Sequence, residues 1–222
     1  MTSASPAQRL EQVRSAIARA ARLAGRAPGE AALIAVSKTH GPEAIAPLIE
    51  AGQRDFGENR VQEAQGKWPA LKAGTPDLRL HLIGRLQSNK SEDAVELFDA
   101  IHSVDRPSLV AALAAAMTKL GRRPECFLQV NIGDEPQKGG CAVADLPPLL
   151  EQSRAAGLPV IGLMAIPPAD VEPAPYFALL SKLARRHALP GLSMGMSADY
   201  ETAVAIGATH VRVGTALFGE RR

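Results

Sequence analysis

Lys38 is the residue whose place in the sequence says most about chemistry. It ends the first apolar run, Leu33–Ser37, in the string Ser37-Lys38-Thr39. A lysine at the end of an interior strand loses hydration, which favours the neutral, nucleophilic amine. Such amines condense with carbonyl compounds to form Schiff bases. Position alone gives equal weight to a lysine salt-bridged at the mouth of the fold, with Glu58 as its partner. Two further strings shift the balance. Ser193-Met194-Gly195-Met196-Ser197 leads into a helix beginning near Ala198, and Arg212-Val213-Gly214-Thr215 leads into a final short helix. Helix N-termini offer N–H groups and partial positive charge to an anion. Gly195 and Gly214 permit close backbone approach, and Ser197 and Thr215 add hydroxyl donors. Either string alone also reads as an ordinary turn glycine with an N-cap. Both together, facing Lys38, suggest a phosphorylated carbonyl ligand. Pyridoxal 5'-phosphate (PLP) is the obvious candidate.

That argument needs a fold that brings residues 38, 197 and 214 to one face. The chain alternates short β-branched or apolar runs with longer Ala-rich segments of helical period. The runs are Leu33–Ser37, Arg54–Gly57, Leu78–Ile83, Ala100–Val104, Cys126–Asn131, Pro159–Met164, Gly191–Met194 and His210–Val213. The segments between them predict helices over Pro42–Ala51, Val61–Leu71, a stretch opened by Ser88 or Asn89, Pro107–Leu120, Leu146–Ala156, Pro175–Ala188 and Asp199–Ile206. A last turn covers Ala216–Gly219. Such alternation implies parallel strands with right-handed crossovers. Eight units in about 190 residues favour a single TIM-type (β/α)8 barrel over an open doubly wound sheet. In a barrel the working face lies at the C-terminal ends of the strands. Gly57-Glu58-Asn59-Arg60, Gly84-Arg85-Leu86-Gln87, His102-Ser103-Val104-Asp105 and Asn131 then join the three strings already named.

With 222 residues, one domain with one core is expected over the whole chain. One Trp and two Tyr leave little for base stacking, and a formal charge of +2 is too small to argue for such a partner by itself. No nucleic-acid partner is therefore expected. No apolar run approaches the ~18 residues of a membrane span, so no membrane partner is expected and the protein reads as cytoplasmic. Cys126 and Cys141 match no metal-ligand spacing and read as free thiols. Arg9, Arg14, Arg19, Arg22 and Arg26 face a single acid, Glu11, within the first 26 residues. Such a segment resembles a transit peptide, but Leu10, Val13, Ile17, Ala21 and Ala24 recur at helical spacing. An extra N-terminal surface helix over residues 1–26 is the favoured reading. His81 and His102 read as satisfied core histidines, and no metal site is expected. The Asp134–Gly140 stretch, with Lys138, reads as a plain surface loop.

The strings AVSKTH, FGENRVQE, HLIGRLQSNK, HSVDR, VNIGDEPQKGG, GLMAIPP and LSMGMSADYETAVAIGATHVRVGTALFG run in order from about residue 31 to residue 219. In them the chain resembles the YggS/PROSC family of PLP homeostasis proteins, whose fold is similar to the barrel of alanine racemase. The resemblance implies that Lys38 carries the internal aldimine. It implies that Ser197, Gly214 and Thr215 hold the phosphate, with help from Ser193 and Gly195. It places Arg212 at the pyridine nitrogen and Asn59 beside the ring or its phenolic oxygen.

Three functions compete: a PLP carrier or regulator of PLP supply, a PLP-dependent amino-acid racemase, and a Schiff-base aldolase without PLP. Racemases of this fold add a C-terminal β-domain whose tyrosine is a second base. Here the chain stops at Arg222, and Tyr176 and Tyr200 fall in predicted helices. The expectation is therefore no C-terminal β-domain, no second base and no robust reaction. The aldolase leaves Arg212 without a ring to contact. A mainly monomeric protein is expected, with PLP as ligand and apo-PLP enzymes as transient partners.

Overall fold

Apolar runs of four or five residues are too short for buried helices and suit strands covered on both faces. In the computed structural model, which describes residues 4–219, they form eight parallel strands. These are β1 (Ala32–Val36), β2 (Asp55–Glu58), β3 (Arg79–Leu82), β4 (Ala100–Val104), β5 (Glu125–Gln129), β6 (Val160–Met164), β7 (Gly191–Ser193) and β8 (His210–Val213). They pair in sequence order, and β1 closes on β8 with Ile34 beside Arg212, giving the expected closed barrel. Ten helices lie among the described residues: α1 (Pro6–Leu23), α2 (Pro42–Glu50), α3 (Val61–Gln65), α4 (Trp68–Gly74), α5 (Ser91–Leu97), α6 (Pro107–Leu120), α7 (Leu146–Ala155), α8 (Ala174–Arg186), α9 (Tyr200–Ala205) and α10 (Thr215–Phe218). None is long and apolar enough to cross a membrane.

Outward strand residues such as Phe56, Leu80, Ile101 and Leu128 pack with the helices in one apolar core. The barrel interior is different. It holds Phe127 with three imidazoles, those of His81, His102 and His210. His102 stacks on Phe127 at 4.2 Å. Rings this bulky need small neighbours. A Cβ on Gly191 would lie 2.8 Å from the Phe127 ring, and one on Gly57 would lie 2.9 Å from Ile34. Both histidines singled out in the sequence are fully buried and hydrogen-bonded. The two cysteines are free and buried, as expected.

Two elements depart from expectation. The helix predicted over Val61–Leu71 is broken between Gln65 and Trp68. Pro69 has no N–H to bond the Gln65 carbonyl and its ring crowds that carbonyl, and Lys67 sits outside the helix at φ −131°. The break turns the Lys67 side chain inward. The strand predicted to reach Asn131 ends at Gln129. Asn131 instead folds the next loop, donating to Glu135 O at 2.8 Å and accepting from Glu135 N–H at 3.1 Å. That loop is tied to the barrel rim, with Lys138 donating to Pro167 O and Gln129 to Gly139 O.

Arg9, Arg14, Arg19 and Arg22 fall in α1, a surface helix as favoured above but shorter than residues 1–26, capped by Ser5 and Gln8; Arg26 lies past its end, and residues 1–3 lie outside the described residues. Its buried face carries Leu10, Val13, Ile17 and Ala21. Two arginines flanking that stripe reach distant carbonyls. Arg9 donates to Leu217 O in α10, and Arg26 donates to Val204 O in α9, both at 2.6 Å. Each cation meets carbonyls in the last turn of a helix, where partial negative charge collects.

Candidate functional site

The turn after β1 is built to hold Lys38 in place. Ser37 ends the strand fully buried, and Lys38 is half-buried beyond it. Thr39 follows at φ +66°, a conformation that costs a β-branched residue of order 1–3 kcal/mol. The turn is held from below. Lys67 Nζ donates to Ser37 O at 3.0 Å and to His40 O at 2.9 Å. Glu63 accepts from the Thr39 N–H. Glu58 Oε1 takes Ser37 Oγ–H at 2.6 Å, Trp68 Nε1–H at 3.0 Å and the Lys67 ammonium at 2.9 Å. Glu58 is thus committed to Lys67 in this structure. Spacing alone also allowed a pair with Lys38.

A cavity of about 360 Å³ opens at the C-terminal ends of the strands. Lys38, Asn59, Ser197, Arg212, Gly214 and Thr215 all line it. Its walls are apolar, from Val36, Ile83, Ile166 and Met196. Gly84, just past β3, lets the chain pass close to Asn59; a Cβ there would lie 2.2 Å from Asn59 O. Ser197 and Gly214 adjoin, with Gly214 N–H donating to Ser197 Oγ at 3.3 Å. The opening N–H groups of α10 have no carbonyl a turn earlier to bond.

Arg212 is 4% exposed. Its Nη1 donates to Ser193 Oγ at 2.7 Å and its Nη2 to Ala165 O at 3.1 Å. Burial pushes its pKa down to about 10, so the guanidinium is charged at neutral pH. Ser193 and Gly195 lie outside the lining. Ser193 supports Arg212 from beneath. Gly195 serves the packing of α9: its φ is +92°, and a Cβ would lie 2.5 Å from the Ala203 Cβ.

His40 and Ile166 also line the cavity. The His40 ring stacks on Phe218 at 4.3 Å, joining the Lys38 turn to α10. His40 was legible two residues past Lys38. Ile166 and Ala165 follow the end of β6. His40 adds an imidazole to the lining that carries Lys38. Tyr176 and Tyr200 stay outside the lining.

The donor set fits a small phosphorylated aromatic aldehyde. It combines an amine, hydroxyl and backbone donors, and a buried guanidinium around an apolar slot. The volume falls within the ~300–1,000 Å³ usual for small-molecule sites.

Residues 9–222 match the family described as alanine racemase, N-terminal domain. The chain is 44% identical to the pyridoxal phosphate homeostasis protein of Pseudomonas aeruginosa, over 97% of this chain and 95% of that one. It is 41% identical to the protein of that name in Escherichia coli, over 97% and 96%. PipY of Synechococcus elongatus, solved with PLP bound, superposes with a TM-score of 0.84 at 43% identity, over 97% of this chain and all of that one. An alanine racemase from Clostridium difficile shares the barrel alone, with a TM-score of 0.73 at 15% identity over 57% of its length.

Proposed function

The chain belongs to the alanine racemase N-terminal domain family and, within it, to the pyridoxal phosphate homeostasis proteins, and from that membership we propose that Lys38 holds PLP covalently for storage or transfer. The observation that carries this reading is the meeting of Lys38, Arg212, Ser197, Gly214 and Thr215 on one cavity. When bound, the cofactor supplies an electrophilic aldehyde carbon and a phosphate. Lys38 Nζ would be the amine that condenses with that carbon, the aldehyde oxygen leaving as water. Ser197, Thr215 and the backbone at Gly214 receive the phosphate, and Asn59 lies beside the ring or its phenolic oxygen. Arg212 meets the ring nitrogen. A guanidinium has only donors, so that nitrogen accepts and stays unprotonated, which weakens the ring as an electron sink. A weak sink suits a carrier better than a catalyst. The carrier works as a monomer, a point that light scattering checks.

The alternative is a racemase-like enzyme. Racemisation needs proton transfer on both faces of a substrate by two groups within hydrogen-bond reach. His40 is the side chain that reading requires beside Lys38.

Borohydride reduction followed by peptide mapping tests the attachment. The pyridoxyl group is expected on Lys38, and a label confined to another lysine overturns the assignment. Assays for racemase, transaminase, lyase and decarboxylase turnover separate the two functions. The carrier predicts no enzyme-level turnover, together with restored activity of an apo-PLP enzyme when free PLP is scarce. Turnover that His40→Ala abolishes would establish the enzyme.

A further inference from the structure

A chain of hydrogen bonds runs through the barrel interior from Arg212 to the opposite face. Arg212 Nη1 donates to Ser193 Oγ at 2.7 Å. Ser193 Oγ lies 2.8 Å from His102 Nδ1. His102 Nε2 lies 3.0 Å from His81 Nδ1. His81 Nε2 lies 2.9 Å from Asp55 Oδ1. Five strands contribute one residue each: β8, β7, β4, β3 and β2. Arg212, Ser193, His102 and His81 are buried, whereas the Asp55 side chain is 26% exposed. Asp55 lines a separate cavity with Arg14, Gln53 and Arg54.

We propose that this chain is a polarising relay, in which Asp55, His81, His102 and Ser193 act as positioning residues for the Arg212 guanidinium at the cofactor ring. The proposal rests on the reading that Arg212 meets that ring.

With both imidazoles neutral, the two ends fix every proton between them. A guanidinium only donates, and a carboxylate only accepts. Ser193 accepts from Arg212 and, with both rings neutral and His81 donating to Asp55, sends its own proton to His102 Nδ1. His102 carries its proton on Nε2 and donates it to His81 Nδ1. His81 carries its proton on Nε2 and donates it to Asp55. A neutral imidazole has one donor and one acceptor, and this order uses both on each ring. For neutral rings, reversing a single link sets two donors or two acceptors face to face in a buried space, which is costly. Burial, with His81 and His210 next, holds the His102 pKa well below its usual value, in keeping with a neutral ring.

The relay answers a need of Arg212. Its partners at hydrogen-bond distance are a hydroxyl and a backbone carbonyl, both neutral. Aligned hydrogen bonds polarise one another where the dielectric is low. The negative charge of Asp55 is thereby felt at Ser193 Oγ. The guanidinium is held in one orientation, with an edge left for the cavity that it lines.

Two measurements test the relay. The first uses cofactor-free protein and nitrogen-15 NMR of the histidine side chains at pH 7.5. His81 and His102 are expected as neutral Nε2–H tautomers. An Nδ1–H tautomer or an imidazolium at either ring overturns the proposal. The second compares PLP binding and the absorption band of bound PLP in wild type and Asp55→Asn, which keeps the shape and removes the charge. Binding is expected to weaken roughly 2- to 30-fold, with a displaced band and mixed tautomers at the two rings. Ser193→Ala, which cuts the chain beside Arg212, is the second variant in case Asp55→Asn does not fold. It is expected to weaken binding over the same range while leaving the His81–Asp55 link intact. Wild type that takes PLP on Lys38, with both folded variants matching it in affinity and spectrum, overturns the relay. Wild type that takes no PLP on Lys38 overturns the functional reading instead, and the relay is then decided by the tautomers.

Discussion

Lys67 Nζ lies 2.9 Å from Glu58 Oε1, with both side chains buried behind the turn that carries Lys38. Removing one member of a buried pair strands the other charge away from water and costs about 3–5 kcal/mol. Lys67→Met is therefore expected to lower stability by about 3 kcal/mol in urea unfolding. The double variant Lys67→Met, Glu58→Gln is expected to recover part of that loss, because no buried charge remains unpaired. Equal losses in the single and double variants would count against the pair.

The phosphate is expected to supply much of the PLP affinity, since charge-assisted hydrogen bonds are among the stronger polar contacts. Pyridoxal is expected to bind at least about 100-fold more weakly than PLP. Ser197→Ala is expected to weaken PLP about tenfold and leave pyridoxal nearly unchanged. Titrations followed by absorbance give both numbers, and equal affinities for the two ligands would remove the phosphate contacts from the account.

Arg9 and Arg26 bind the carbonyls of Leu217 and Val204. Replacing each with Ala is expected to lower stability by about 1 kcal/mol. The Arg9 variant is expected to weaken PLP binding as well, because α10 begins at the proposed phosphate contacts. Thermal melts with and without PLP check this: a loss that is the same in both states argues for a purely structural role.

Acid is expected to destabilise the protein well above the carboxylate range. Burial, then the neighbouring His81, holds the His210 pKa down to about 4. Burial also holds His102 well below its usual value. The unfolded chain protonates both near pH 6.5, so it binds more protons than the native state between there and pH 4. Stability is present above pH 6.5 and falls as the pH drops, by roughly 3 kcal/mol from His210 alone at pH 4. Urea midpoints at pH 7.5, 6 and 5 show this directly, and a flat profile would contradict it.

Both thiols are expected to be inert in the native protein. Burial pushes Cys126 and Cys141 up to about 12, so neither forms the reactive thiolate at pH 8. A thiol reagent at pH 8 should find no fast-reacting group before denaturation and two after it. Rapid labelling of native Cys141 would contradict the burial argument.

The barrel was legible because its strands are short apolar runs at steady spacing, and the observed ends mostly fall within a residue or two of those read from sequence. Lys38, Ser197 and Thr215 were legible because each follows a strand end, where a barrel gathers its ligand groups. Ile166 was legible by the same rule, had it been applied to the sixth strand. The helix break at Lys67 was signalled by Gly66 and Pro69 but outweighed by apolar periodicity on both sides. The interior relay was not legible. His81 and His102 are 21 positions apart, and His102 and Ser193 are 91 apart. What aligns them is the register around the closed barrel, and sequence spacing carries no record of it.

The clasp of α1 on α9 and α10 sets an order of events during synthesis. Lys38 leaves the ribosome long before Ser197 and Thr215 exist. Arg9 must wait for a carbonyl 208 positions downstream, and β1 must wait for β8 before the barrel closes. Contacts this distant form late and slowly. A nascent chain therefore presents its lysine without the proposed phosphate contacts, and cofactor capture is expected to be a property of the finished barrel.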